Sequence, residues 1–303
     1  MWNSILFSVL GFFSINNFLL VEENSVEAEL LTFRVEPVEN VEPIASSIIS
    51  DLRPALALND SVELSESVET KLENRKLWVW GGYFPLSAQH LLTQVIVDPL
   101  LNLYGIKELI GVAISDTSMA RRGQRINMQA GIDKFDGVII GKGETFSFND
   151  TLKSVEPEEG FVVEAIIIGG RDGWALGGGV CQLSTVLYRA ALNAGLPIEE
   201  RRNHSDALGK YFPHGLDATI YLGSQDLKFT NDTGNDILIK TQLKGNTLMV
   251  ALFGTQDGRE IELTRVRNDH QRGGGLYTEW KRIVRKGNNA QEELIASRYK
   301  GVY

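Results

Sequence analysis

The sequence predicts an α+β protein in which an antiparallel, β-rich domain packs around a central helix that begins at the single cysteine. Three observations carry this. From Cys181 to Ala194 the apolar residues Leu183, Val186, Leu187, Ala190, Ala191 and Ala194 recur at helical spacing. Gly160 to Gly169 is rich in β-branched residues, as a buried strand would be. After residue 225, short alternating runs at Asp226–Phe229, Asp236–Leu243, Thr247–Phe253, Glu260–Val266 and Thr278–Val284 follow at regular spacing, with Asn-Asp, Gly-Asn and Asp-Gly turn signals between several of them.

Taken in order, residues 1–21 hold no charged side chain and include a short apolar run, compatible with a secretory signal or a membrane anchor, although the basic start of a signal is missing. Residues 22–75 are acidic, with Ser and Pro scattered among short apolar pieces. A chain of that kind buries little surface and reads as a flexible spacer. Residues 76–111 form a helical and aromatic extension of the main domain. Here Trp78, Trp80 and Tyr83 read as packing residues before a carbohydrate platform, and Glu108 to Ser115 reads as a strand. Asp116 to Gln124 carries turn and cap residues, and Gly137 to Ile140 is a second short strand. Gly141-Lys142-Gly143 lacks the spacing of a phosphate loop. Leu216 to Leu222 alternates, which puts Asp217, Thr219 and Tyr221 on the polar face of a strand.

Composition narrows the function. A chain of 303 residues with 43% apolar content can bury a substantial core. A net charge of −9 argues against a general nucleic-acid binder, which needs a basic surface. One cysteine excludes an internal disulfide framework, so Cys181 is a buried small hydrophobe, an intermolecular link or a reactive thiol.

The run Gly177-Gly178-Gly179 precedes the helix, and Gly195, Leu196 and Pro197 end it. At 100° per residue Cys181, Thr185 and Tyr188 share a face nearly opposite the apolar stripe, so filling the core beneath the helix does not by itself explain the cysteine. The unpaired N–H groups and positive dipole of a helix start stabilise a thiolate and can serve an oxyanion. A nucleophile needs a base and a group to orient it. His204 and His214 follow within 35 residues, with Asp217 and Asp206 as orienting carboxylates, whereas His90 and His270 read as surface residues. Cys181, His204, His214 and Asp217 also include ligand types for zinc, but their spacing matches no compact metal motif, so neither a metal nor another cofactor is expected.

Several segments resemble the VanW family: Gly143-Glu144-Thr145-Phe146-Ser147-Phe148-Asn149, Gly177 to Thr185 with Leu187-Tyr188, Glu200-Arg201, Asn203-His204-Ser205, Tyr211, Pro213, Gly215 to Thr219, and Asp226 to Phe229. The resemblance covers residues 112–255, leaving 256–303 as a C-terminal β extension. It implies an extracytoplasmic protein of the bacterial cell envelope, membrane-anchored or secreted. It further implies cysteine L,D-transpeptidase-like acyl transfer on peptidoglycan stem peptides. On that implication Cys181 attacks the carbonyl of the third stem residue and expels the terminal D-alanine. His204 is then the base and Asp217 its orienting group; His214 becomes a secondary candidate. Gly179, Gln182, Ser184 and Arg201 are the candidate substrate-binding or oxyanion residues. The alternative class is a non-catalytic peptidoglycan-binding or glycopeptide-resistance accessory module in which Cys181 merely packs.

Overall fold

The computed structural model describes residues 106–300, apart from 107, 169, 170 and 272. The expected leader (1–21), acidic spacer (22–75) and most of the 76–111 extension, with its aromatic cluster and His90, lie outside the described residues. What is described is α+β, with every strand pairing between named strands antiparallel.

The strands β1 (Glu108–Asp116), β2 (Ile139–Ile140), β8 (Ile237–Lys244) and β9 (Thr247–Gly254) form a four-stranded sheet in the order β1-β9-β8-β2. Its inner strands supply much of the apolar core: Ile237, Leu238, Ile239, and Leu248 to Phe253 are buried. Two helices cover it, α1 (Arg122–Phe135) and α3 (Val180–Asn193). A second sheet of β3 (Thr145–Ser147), β7 (Lys228–Thr230) and β6 (Ile198–Glu200) lies in the order β3-β7-β6, with the short helix α2 (Phe148–Leu152) following β3 directly. β4 (Val163–Ile168) and β5 (Arg171–Leu176) make a hairpin, and β10 (Arg259–His270), β11 (Leu276–Lys286) and β12 (Asn289–Tyr299) make a three-stranded C-terminal sheet.

Helix α3 begins at Val180, so Cys181 is its second residue rather than its first. The predicted stripe is buried: Leu183, Val186, Leu187, Ala190, Ala191 and Ala194 are all within the core. Burying each of the three larger side chains contributes about 1.5–3 kcal/mol. The opposite face is covered as well, because Thr185, Tyr188 and Arg189 pack beneath the segment 211–219. A helix enclosed on both sides holds its first turn rigidly, and that turn carries the cysteine.

Two expectations change. Gly160 to Gly169 is not a buried strand: β4 is one arm of a hairpin, with Val163 59% exposed and Glu164 buried instead. The turn and cap residues of Asp116 to Gln124 lead into α1, a helix not expected from the sequence, whose buried face includes Asn127 and Gly131 beside Met128, Ile132 and Phe135. Leu216 to Leu222 is not a regular strand either. It makes only isolated bridges, Thr219 to Arg202 and Tyr221 to Gln225, because its carbonyls are taken by side chains. Arg201 Nη2 donates to Gly215 O (3.0 Å), Arg189 Nε to Leu216 O (2.8 Å), Arg201 Nε to Asp217 O (2.6 Å) and Ser184 Oγ to Ala218 O (2.7 Å).

Candidate active site

The turn before α3 is fixed from two sides. Gly179, the residue before the helix, has a φ of +112°, and a Cβ there would stand 2.9 Å from the Gln124 carbonyl. Only glycine fits such a conformation this close to another backbone. Asn127, buried on α1, donates from Nδ2 to Gly178 O (2.9 Å) and to Val162 O (3.0 Å), and its Oδ1 accepts from Val162 N–H (2.7 Å). The Val180 and Gln182 amides are engaged by the carbonyls of Gly177 and Gly179. Between them lies the Cys181 amide, a first-turn donor to which the helix offers no carbonyl.

Cys181 is half-buried. Its sulfur lies 3.7 Å from the Ile220 carbonyl, to which the thiol donates, and 3.8 Å from Thr219 Oγ1. His204 sits beside it. Its Nδ1 is 2.6 Å from Asp217 Oδ2, and the His204 backbone N–H donates to the same oxygen (2.7 Å). His204 Nε2 is buried without an oxygen or nitrogen partner and interacts with the Cys181 thiol. The ring is also stacked on Tyr211, with centroids 4.0 Å apart. The structure thus brings together Cys181, His204 and Asp217 in one relay.

Asp217 is fully buried, not displayed on a polar strand face. Its Oδ1 accepts from the Tyr299 hydroxyl and lies 3.4 Å from Arg201 Nη2. Burial works against the charged carboxylate, but hydrogen bonding to His204 and the charges of His204 and Arg201 hold it far below the ordinary range. Burial likewise disfavours a charged His204, yet the bond to Asp217, aided by the thiol, pushes it up to about 9. Desolvation alone would raise the Cys181 thiol; the hydrogen bond and charge of His204 outweigh it and bring the thiol below its usual value. Both shifts therefore favour the thiolate and imidazolium forms of the pair.

The remaining candidates are dispersed around this relay. The Gln182 side chain is buried and ties the end of β1 to the helix, donating to Ser115 Oγ (2.8 Å) and Asp116 O (3.0 Å). Ser184 Oγ donates to the Cys181 and Ala218 carbonyls. Arg201 is almost wholly enclosed and braces the backbone on either side of Leu216. These three side chains hold backbone rather than line a surface for substrate. His214 is set among Phe212 and Tyr299 instead of the sulfur, and burial lowers it. No group of three or more His, Cys, Asp or Glu among the described residues is placed to hold a metal ion.

Three participants escaped the reading of the sequence, Asn127, Arg189 and Tyr299, and Tyr211 entered it only through the family resemblance, without a role. Arg189 is a buried cation on the face opposite the apolar stripe, bonded to the carbonyls of Leu216 and Tyr211 (2.8 and 2.7 Å). An arginine in the middle of a helix otherwise lined by Ala and Leu was the available signal. Tyr299 lies far along the chain on β12. Its hydroxyl accepts from Gly215 N–H (2.6 Å) while donating to Asp217, so the C-terminal sheet completes the relay.

Residues 123–253 match the family model described as "VanW like protein". Among curated proteins, the chain is 28% identical over 159 residues to the uncharacterized protein YoaR of Bacillus subtilis (strain 168), covering 52% of each chain. It is also 28% identical over 170 residues to the vancomycin B-type resistance protein VanW of Enterococcus faecalis (strain ATCC 700802 / V583), covering 52% of this chain and 60% of that one. The chain thus spans little more than half the length of these relatives. No solved structure matches it.

Proposed function

Because residues 123–253 place this chain in the VanW family, we propose that it is a cysteine acyl transferase of the bacterial cell envelope acting on peptidoglycan stem peptides. The observation that carries the reading is the Asp217–His204–Cys181 relay, in which a buried carboxylate fixes an imidazole against a thiol at a helix start. The name of the Enterococcus relative, a vancomycin B-type resistance protein, fits a substrate in the cell wall. The apolar residues 1–21 would deliver or anchor the domain outside the membrane; among the described residues no helix is long and apolar enough to cross one.

The chemistry follows from the geometry. The Cys181 thiolate attacks the carbonyl of the third stem residue, and the developing oxyanion turns towards the Cys181 amide. His204 gives its Nε2 proton to the departing amine, so the terminal D-alanine leaves and a thioester remains. An acceptor amine then loses a proton to His204 and displaces the sulfur, forming the new amide and restoring the pair. Asp217 keeps its charge throughout and holds Nδ1–H, which fixes the tautomer and supports the imidazolium.

The test is incubation of the full chain with disaccharide tetrapeptides, read by mass spectrometry. The expected result is a mass gain on Cys181 equal to the muropeptide less one free D-alanine, absent in Cys181→Ala, together with a cross-linked product. Unmodified Cys181 with every stem peptide, and full cellular function of Cys181→Ala, would leave only the binding-module reading.

The pH dependence follows from the two shifts. Since the folded thiol titrates lower than an ordinary one, alkylation by iodoacetamide is expected to reach its plateau at lower pH in the native chain than in the urea-unfolded chain. Acyl transfer also needs the imidazolium proton, so it should decline as pH rises through about 9 while alkylation does not. Coincident alkaline limbs in the two reactions would count against His204 as the proton donor.

A further inference from the structure

Lys210 stands beside the relay with no carboxylate to pair with among the described residues. It lies in the turn Gly209–Tyr211, half-buried, with its ammonium 5.0 Å from the centre of the Tyr211 ring. That ring is stacked on His204 at 4.0 Å, so one aromatic plate links the lysine to the base. No salt bridge or side-chain hydrogen bond engages Lys210 among the described residues, although the chain carries an excess of acidic groups. A second cation, Arg121, is on the same side. Its side chain is 61% exposed, reaches Glu164 at 3.4 Å and lies 5.8 Å from the centre of the exposed Trp174 ring. Burial pulls Lys210 down, the Cys181 thiolate draws it back up and the Arg121 guanidinium opposes that. The Lys210 charge therefore acts on the sulfur, and the Arg121 charge acts on Lys210.

A half-buried ammonium that has lost water for little more than the face of an aromatic ring is better compensated when an anion arrives with the ligand. Resting on the reading of Cys181 as nucleophile, we propose that Lys210, with Arg121 as a second cation, receives a carboxylate of the acyl donor within one residue of the attacked carbonyl. Two carboxylates answer to that chemistry: the C-terminal one of the departing amino acid, and a side-chain carboxylate of the residue being acylated. Either would direct the enzyme to anionic peptide ends and away from neutral internal bonds.

The first experiment needs no natural substrate. The full chain is alkylated with iodoacetate and with iodoacetamide, which differ in one carboxylate, at a pH on the iodoacetamide plateau. The iodoacetate-to-iodoacetamide rate ratio at Cys181 is expected to exceed that of N-acetylcysteine by about fivefold or more, as for one partly solvated cation near the reagent. In Lys210→Gln it should fall towards the free-thiol value, and Lys210→Arg should restore most of it. An unchanged ratio, or equal slowing with both reagents, overturns the carboxylate role while leaving the nucleophile intact. A Cys181 inert to both reagents overturns the nucleophile reading and this one with it. A second arm compares tetrapeptides amidated at the C-terminus or at the third residue's side chain. The amidation that slows adduct formation in the native chain, but not in Lys210→Gln, identifies the carboxylate; no effect from either also overturns the proposal.

Discussion

Asp217→Asn is expected to slow Cys181 alkylation at pH 6 by about a hundredfold or more, each unit by which the thiol rises being worth about tenfold. The carboxylate makes four separate contacts. Oδ2 receives both the backbone N–H and the Nδ1–H of His204, and Oδ1 receives Tyr299 and faces Arg201. An amide can accept at only one end. If its NH2 turns to His204, the imidazole must carry its proton on Nε2 and can no longer take one from the thiol. If it turns the other way, it confronts the Arg201 guanidinium and the Tyr299 hydroxyl. Either way the support for an imidazolium is lost, and acyl transfer should drop by about 10³-fold or more. The measurement is iodoacetamide kinetics against pH together with adduct formation on stem peptide. A variant within tenfold of the native rate in both would show that Asp217 is there for folding and not for His204.

Gly215→Ala should destabilise the domain by about 3–5 kcal/mol. Gly215 has a φ of +100°, and an added Cβ would stand 2.4 Å from Thr278 Oγ1 and 2.6 Å from Trp280 Nε1. Both neighbours are buried on β11, so neither can swing away. The Trp280 indole is further committed to the His214 carbonyl at 2.9 Å. Urea unfolding monitored by tryptophan fluorescence measures the effect, and a loss below about 1 kcal/mol would mean that the C-terminal sheet yields readily. The same substitution should raise the pH at which alkylation of Cys181 reaches its plateau, because Gly215 N–H and O bind the residues that hold Asp217.

How much of this could be read beforehand depended on whether a residue's partners were apolar and near in sequence. The stripe of α3 was legible because Leu183, Val186, Leu187 and Ala190 announce a helical period without interruption. β8 and β9 were legible to within a residue because short runs rich in apolar residues stand between turn signals. α1 was not: its buried face includes Asn127 and Gly131, which disguise the stripe, and the asparagine is inside because it ties down the turn before the cysteine. β12 was missed because the residues that turn inward at its end, Ser297 and Tyr299, are polar and face a polar cluster. The group Cys181, His204 and Asp217 was assembled from helix phase and family resemblance, and these residues are neighbours in the structure. Of the residues that brace them, Tyr299 lies 82 positions beyond Asp217, Asn127 lies 51 before Gly178 and Arg189 sits inside the helix, relations on which periodicity carries no information.

The four successive carbonyls of residues 215–218 are held by side chains of α3 and Arg201, where a strand would have used backbone amides. A ladder transmits every slip of its neighbour to the next chain, since register is shared along the whole edge. Side-chain tethers do not: each ends on its own residue, and together they fasten the segment that bears Asp217 to the helix that bears the nucleophile and to Arg201, three residues before the base. The strands behind can therefore drift in sequence and twist from one protein to another without altering the distance between thiol and imidazole. What cannot drift is a handful of tethers, above all Arg189 and Arg201, which touch no substrate in this arrangement. Variation at those two positions, more than anywhere in the sheets, is where descendants of this scaffold would part company with its chemistry.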